Sequence, residues 1–120
     1  MKYPGLLLAV VVLLSACGKQ SPSDPAMQGR LEAANAISEP NSRNGSLAKL
    51  ALDAANAKDL RTTTKALDSI NEPNLKNSTA ATCALAFSTN HDTKTATEIA
   101  QLISDPNLRN NTLQSIAKGQ

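Results

Sequence analysis

One short phrase is written three times in this chain: "SEPNSRN" at residues 38–44, "NEPNLKN" at 71–77 and "SDPNLRN" at 104–110. Pro40, Pro73 and Pro106 therefore stand 33 residues apart, and the register extends well beyond them. Ile37, Ile70 and Ile103 precede each proline by three positions. Asn41, Asn74 and Asn107 follow it, then Arg43, Lys76 and Arg109, then Asn44, Asn77 and Asn110. Ala51, Ala84 and Ala117 keep the spacing, as do Asp59 and Asp92. A fixed period of this length points to a unit that cannot bury its apolar face alone and must stack on its neighbours.

Within each unit the apolar residues recur at helical spacing. After the prolines come Leu47, Leu50, Ala51 and Ala54, then Ala80, Cys83, Ala84 and Phe87, then Leu113, Ile116 and Ala117. This i, i+3, i+4, i+7 pattern is one face of an amphipathic helix. A second helix fits before each proline, with Ala34 and Ile37, with Leu60, Leu67 and Ile70, and with Ala96, Ile99, Ala100 and Ile103. Alternating β-branched runs are few, and Tyr3 and Phe87 are the aromatic residues of the chain, so strands are not expected. Each unit reads as a helical hairpin. The expected fold is all-α, a short right-handed α-α solenoid of about three hairpins over residues 28–120, with units near 28–58, 59–91 and 92–120.

The repeated phrase has a physical reading. Proline suits the first helical position, where its missing N–H is no loss, and it pushes the residue before it out of helical geometry. Asp105 is a good N-cap; Glu39 and Glu72 are weaker caps that still favour the positive helix end. Glu39 with Arg43, Glu72 with Lys76 and Asp105 with Arg109 are four apart, the spacing of an ion pair on one helix face. The phrase is thus a turn and a helix start rather than a catalytic loop.

These residues carry a resemblance. "ISDPNLRNNTLQSIA" resembles a HEAT-type repeat, with Asp105 and Pro106 in the hairpin turn, Arg109 three residues on, and Leu113 and Ile116 on the apolar helix. The other two copies match more loosely, with Glu in place of Asp. The Trp, Gly and Tyr positions of tetratricopeptide repeats and the Thr-Pro-Leu-His phrase of ankyrin repeats are missing. The HEAT resemblance implies a binding scaffold rather than a particular chemistry.

The chain opens "MKYPGLLLAVVVLLSAC": one basic residue, Lys2, an apolar run over residues 6–14, then Ser15, Ala16 and Cys17. The run is too short for a bilayer-spanning helix and has the shape of a secretory signal. "LSAC" resembles the lipobox of bacterial lipoproteins, in which the cysteine is acylated and becomes the first mature residue. The resemblance implies a signal peptide over residues 1–16, a lipid on Cys17 and a membrane as partner. Several acyl chains on one cysteine anchor stably where a single chain does not. Gly18, where an Asp would hold an enteric lipoprotein at the inner membrane, implies the outer membrane. "GKQSPSDPAMQ", without periodicity, reads as a flexible tether, so residues 17–27 form anchor and linker.

Removing 16 of the 120 residues would leave 104, and with Lys2 gone the net charge falls from +2 to +1. No basic face of the kind phosphate backbones require is present, so nucleic acid is not an expected partner. With Cys17 acylated, Cys83 has no thiol to pair with.

Few residues invite chemistry. His91, the single histidine, is followed by Asp92, a pair that a Ser/His/Asp hydrolase would use. It aligns with Lys58 and Asp59 at a junction between units, which favours a loop residue followed by an N-cap. Cys83 aligns with Leu50 and Ile116 and reads as a small core hydrophobe; no set of ligands for a metal or cofactor accompanies it. The abundant Asn, Ser and Thr read as uncharged surface and caps. Two rows, Lys49–Thr82–Ser115 and Ser46–Thr79–Thr112, would line up along the array as candidate binding faces. The expected protein is a non-catalytic, membrane-anchored module with a protein partner at the bacterial cell envelope, an accessory factor of a secretion or conjugation system. The alternatives are an immunity or entry-exclusion lipoprotein and a hydrolase using His91.

Overall fold

The computed structural model describes residues 24–119, which form six α-helices: α1 (Pro25–Asn35), α2 (Pro40–Asn56), α3 (Leu60–Ser69), α4 (Pro73–Thr89), α5 (Thr93–Ala100) and α6 (Pro106–Ala117). Short and long helices alternate. The long helices lie in chain order, α4 packed against α2 on one side and against α6 on the other. Four of the six start on a proline: Pro25, Pro40, Pro73 and Pro106.

Each helix start is built by the residue before it. The Glu39 carboxylate accepts from the Ser42 and Asn41 N–H groups at 2.6 and 3.1 Å, and Glu72 accepts from Leu75 and Asn74 at 2.6 and 3.4 Å. Asp105 accepts from Asn107 and Leu108. Glutamate, a weak N-cap by type, thus bonds to the same early N–H groups as Asp105 does, satisfying donors that have no intrahelical partner. α1 follows the same rule, for Asp24 accepts from the Ala26 N–H at 2.9 Å. The helix therefore begins at Pro25 rather than at residue 28, and "SDP" at 23–25 copies "SDP" at 104–106.

Two corrections concern the proline turns. Ile37, Ile70 and Ile103 are not in the last turn of the preceding helices, which end at Asn35, Ser69 and Ala100. They lie just beyond, in the turn, with Ile70 extended at φ −75° and ψ 120°. Nor do the acid and the base of each phrase form an ion pair. Arg43 and Arg109 instead reach back to donate to the Ile37 and Ile103 carbonyls, both at 3.1 Å. The acid is already engaged as a cap, and the carbonyls past a helix end lack a backbone donor. Lys76, the third base, makes no such bond.

A second kind of turn joins each long helix to the short one after it. Lys58 and His91 take left-handed backbone angles, φ 62° and 67°. The Lys58 N–H donates to the Ala55 carbonyl and the Asp59 N–H to Ala54; 33 residues on, His91 donates to Ser88 and Asp92 to Phe87. These are the paired bonds of a Schellman ending, here with Lys and His where glycine is usual. Asp59 and Asp92 then cap the next helix through the Thr62 and Thr95 N–H groups. α2 packs more closely on α3, and α4 on α5, than any helices joined by a proline turn.

The core is built mostly from small residues. Ala51, Ala54, Ala55, Ala66, Ala84, Ala96 and Ala100 have no exposed surface, and Leu47, Leu67, Cys83 and Phe87 fill the space between them. Alanine adds no volume beyond its methyl group, so neighbouring helices approach closely and a single Phe suffices.

Candidate functional site

The sequence puts its strongest chemical expectation on Cys17, which lies outside the described residues. Among the described residues no helix is long and apolar enough to cross a membrane.

His91 is exposed, in the turn after α4. Its backbone is committed to the Schellman ending, and the carboxylate of Asp92 points at the Thr95 N–H, 3.1 Å away. The Asp is thus used as a helix cap, which is its aligned partner Asp59's role too. Cys83 is fully buried, between residues of the α4 core face, and desolvation pushes its thiol up to about 12. A thiol held that far above neutrality carries almost no thiolate, the form that acts as nucleophile or metal ligand. No group of three or more His, Cys, Asp or Glu side chains with metal-site geometry occurs among the described residues.

The two candidate binding rows part company. Ser46 is exposed, but Thr79 and Thr112 are 8 % and 4 % exposed, so that row is largely internal. Thr79 lines the seam between α2 and α4 with Ala48 and Leu52, and the Thr112 hydroxyl donates to the Leu108 carbonyl at 2.8 Å. Thr112 can be buried because the α-helix gives its hydroxyl a carbonyl four residues back. The Lys49–Thr82–Ser115 row remains accessible, Lys49 and Thr82 exposed and Ser115 half-buried. Lys49 and Arg30 both bond to Asp53, at 3.3 and 2.7 Å. The Arg30 hydrogen bond, ahead of the Lys49 charge, holds the Asp53 carboxyl below the usual range. Glu39 is lowered as well, chiefly by its bonds to Ser42.

The structure also brings together residues that composition assigned to the surface. Asn77 is buried; its side-chain oxygen accepts from the Ser104 N–H at 3.0 Å, and its amide donates to the Ser104 hydroxyl at 3.0 Å. One period earlier, buried Asn44 donates to the Asn71 side chain at 3.2 Å and accepts from the Asn71 N–H at 3.4 Å. Each is a clamp between a long helix and the proline turn 27 residues later. The signal was present in the sequence as the unvarying Asn44, Asn77 and Asn110, since a polar residue held at a helix-face position invites a specific partner.

Comparison with known proteins adds no relative: no family model matches the chain, and neither a curated protein nor a solved structure does.

Proposed function

We propose that this protein is a lipid-anchored, non-catalytic docking module of the bacterial cell envelope, in which three HEAT-like hairpins form a short right-handed solenoid tethered through an acyl group on Cys17. The observation that supports the module is the recurrence of one interhelical clamp, Asn44 to Asn71 and Asn77 to Ser104. Units joined in one register present their side chains in rows, and such rows serve extended contact with another protein rather than bond-making on a small molecule. The open row Lys49–Thr82–Ser115 is the face proposed to meet the partner, with an accessory role in an envelope, secretion or conjugation apparatus. The outer membrane is the proposed site, from Gly18.

Two experiments test this. Metabolic labelling with a fatty acid marks the wild-type chain and not Cys17→Ser; a label that survives the substitution removes the anchor. Capture from detergent extracts retrieves a multi-component envelope complex, and Thr82→Arg, in the middle of the row, abolishes that capture while leaving the helical signal intact. Retrieval of one soluble toxin instead moves the protein to the immunity class.

A further inference from the structure

The clamp has two complete copies and two unused halves. Asn110 stands in the register of Asn44 and Asn77, yet it is exposed and has no partner among the described residues. Ser38 stands in the register of Asn71 and Ser104. It too is exposed, and neither its N–H nor its hydroxyl is bonded among the described residues. These halves lie at opposite ends of the helix order, on α6 and beside α1.

The surfaces around them are also complementary in kind. Ala33, Ile37, Lys49 and Leu50 line an apolar groove of about 440 Å³ between α1 and α2. Leu50 is already buried there, but Ala33 is exposed and Ile37 half-buried. One period on, the matching Ala66 and Ile70 are 0 and 2 % exposed, on α3, which α2 packs against, and in the turn after it. The next period repeats this with Ile99 and Ile103, each 1 % exposed, on α5, which α4 packs against, and in the turn after it. The groove is thus the same face that α2 and α4 cover elsewhere. At the other end, Ala117 is exposed where Ala51 and Ala84 have no exposed surface, and Leu113 is half-open where Leu47 has none.

We propose that this chain associates head to tail with a second copy of itself, α6 of one molecule lying in the α1–α2 groove of the next, with Asn110 clamping Ser38. The occupant is fixed by continuity with the internal interface: α6 keeps the Asn, the apolar residue and the Ala with which α2 and α4 cover that face. Gln114 and Lys118 replace the Ala and Leu of the internal seams, Ala48 and Leu52, then Ala81 and Leu85. That polarity makes the contact reversible. Because the two mating faces differ, the association does not close at a dimer and builds short chains. The inference is independent of the anchor on Cys17.

Crosslinking of the full chain in detergent tests it, in a Cys17→Ser background with Cys83 left in its core. Ser38→Cys and Asn110→Cys proteins, mixed and oxidised, give a disulfide-linked dimer, and neither protein alone does. No dimer in the mixture, or equal yields in the unmixed samples, overturns the proposal; a Ser38→Cys dimer on its own reports a symmetric pairing through the groove and overturns it too. Sedimentation provides the second arm. The mass of the wild-type chain rises with concentration, whereas Ala117→Trp, at a position already exposed, stays at the mass of the monomer with an unchanged helical signal. A wild type that stays monomeric up to its solubility limit, or an Ala117→Trp protein that assembles as the wild type does, contradicts the assignment.

Discussion

The turns at Lys58 and His91 and the turns at Pro40, Pro73 and Pro106 hold the chain by opposite means. In the first kind the backbone does the holding. A left-handed residue closes two main-chain bonds onto the helix just ended, and the next aspartate caps the helix about to begin. All of this is local, and the flanking helices pack closely. In the second kind the proline only stops one helix and starts another. Position comes from side chains reaching across: a carboxylate to the new helix in all three, a guanidinium to the turn carbonyl before Pro40 and Pro106, and an asparagine from the unit before at Pro73 and Pro106. The local turn makes a tight helix pair. The long-range turn sets how consecutive pairs stack.

The comparison is broken most forcefully by moving a proline. Pro73→Ala keeps the Glu72 cap and the Asn77 clamp, so its effect stays within about 1 kcal/mol. Ala84→Pro puts the same residue in the interior of α4, at a fully buried position, where it removes a helix bond and clashes with the preceding turn, at about 3 kcal/mol or more. Because α4 touches α2, α3, α5 and α6, circular dichroism of Ala84→Pro loses most of the helical signal while Pro73→Ala retains it. Equal losses would mean that the helix boundaries are wrong.

Much of this was legible in the sequence because it repeats at main-chain resolution. Proline at a helix start, an apolar face at helical spacing and an aspartate before a helix each leave a mark at a fixed position. Residues whose role depends on three-dimensional reach were not legible. Arg43 is four residues from Glu39 on one helix face, but the better acceptor is the Ile37 carbonyl, which only the folded turn presents. Lys58 and His91 look like loop residues because neither is glycine, and the left-handed angle is imposed by packing α3 and α5 back onto the helices they follow. Asn44 and Thr112 look like surface by type; burial came with partners supplied one unit away or one turn back. The start of α1 was hidden because Pro25 lies outside the 33-residue register, 15 residues before Pro40.

Cutting the clamp comes next in size. Asn77→Ala leaves the Ser104 N–H without its acceptor, and thermal or urea unfolding records a loss of about 1–3 kcal/mol. Asn44→Ala costs less, because the Asn71 N–H sits at 3.4 Å rather than 3.0 Å from its acceptor. The reverse order would count against the clamp as a stacking device.

Two substitutions sharpen the contrast by improving each turn in its own currency. His91→Gly relieves the left-handed angle at a residue with a Cβ, offset by the freer unfolded chain, for a net gain below about 1 kcal/mol. A loss on that substitution would show that the imidazole itself supports the turn. Lys76→Arg gives the middle proline turn the guanidinium its neighbours have, adding a bond to the Ile70 carbonyl worth about 0.5–1 kcal/mol. The chemical denaturation midpoint moves up, and by less than the Asn77→Ala change moves it down.

The central claim is that one clamp, used twice within the chain, stacks consecutive 33-residue units. Amide hydrogen exchange, read residue by residue on the monomeric protein at low concentration, tests it most directly. Ser38, Asn71 and Ser104 occupy the same position in the three phrases, and Ser38 and Ser104, the same residue type, differ in what reaches them. The account predicts slow exchange at Ser104, intermediate exchange at Asn71 and exchange near the open-chain rate at Ser38, with Asn77→Ala bringing Ser104 up towards Ser38. Three equal rates, or a Ser104 amide indifferent to Asn77→Ala, would contradict it.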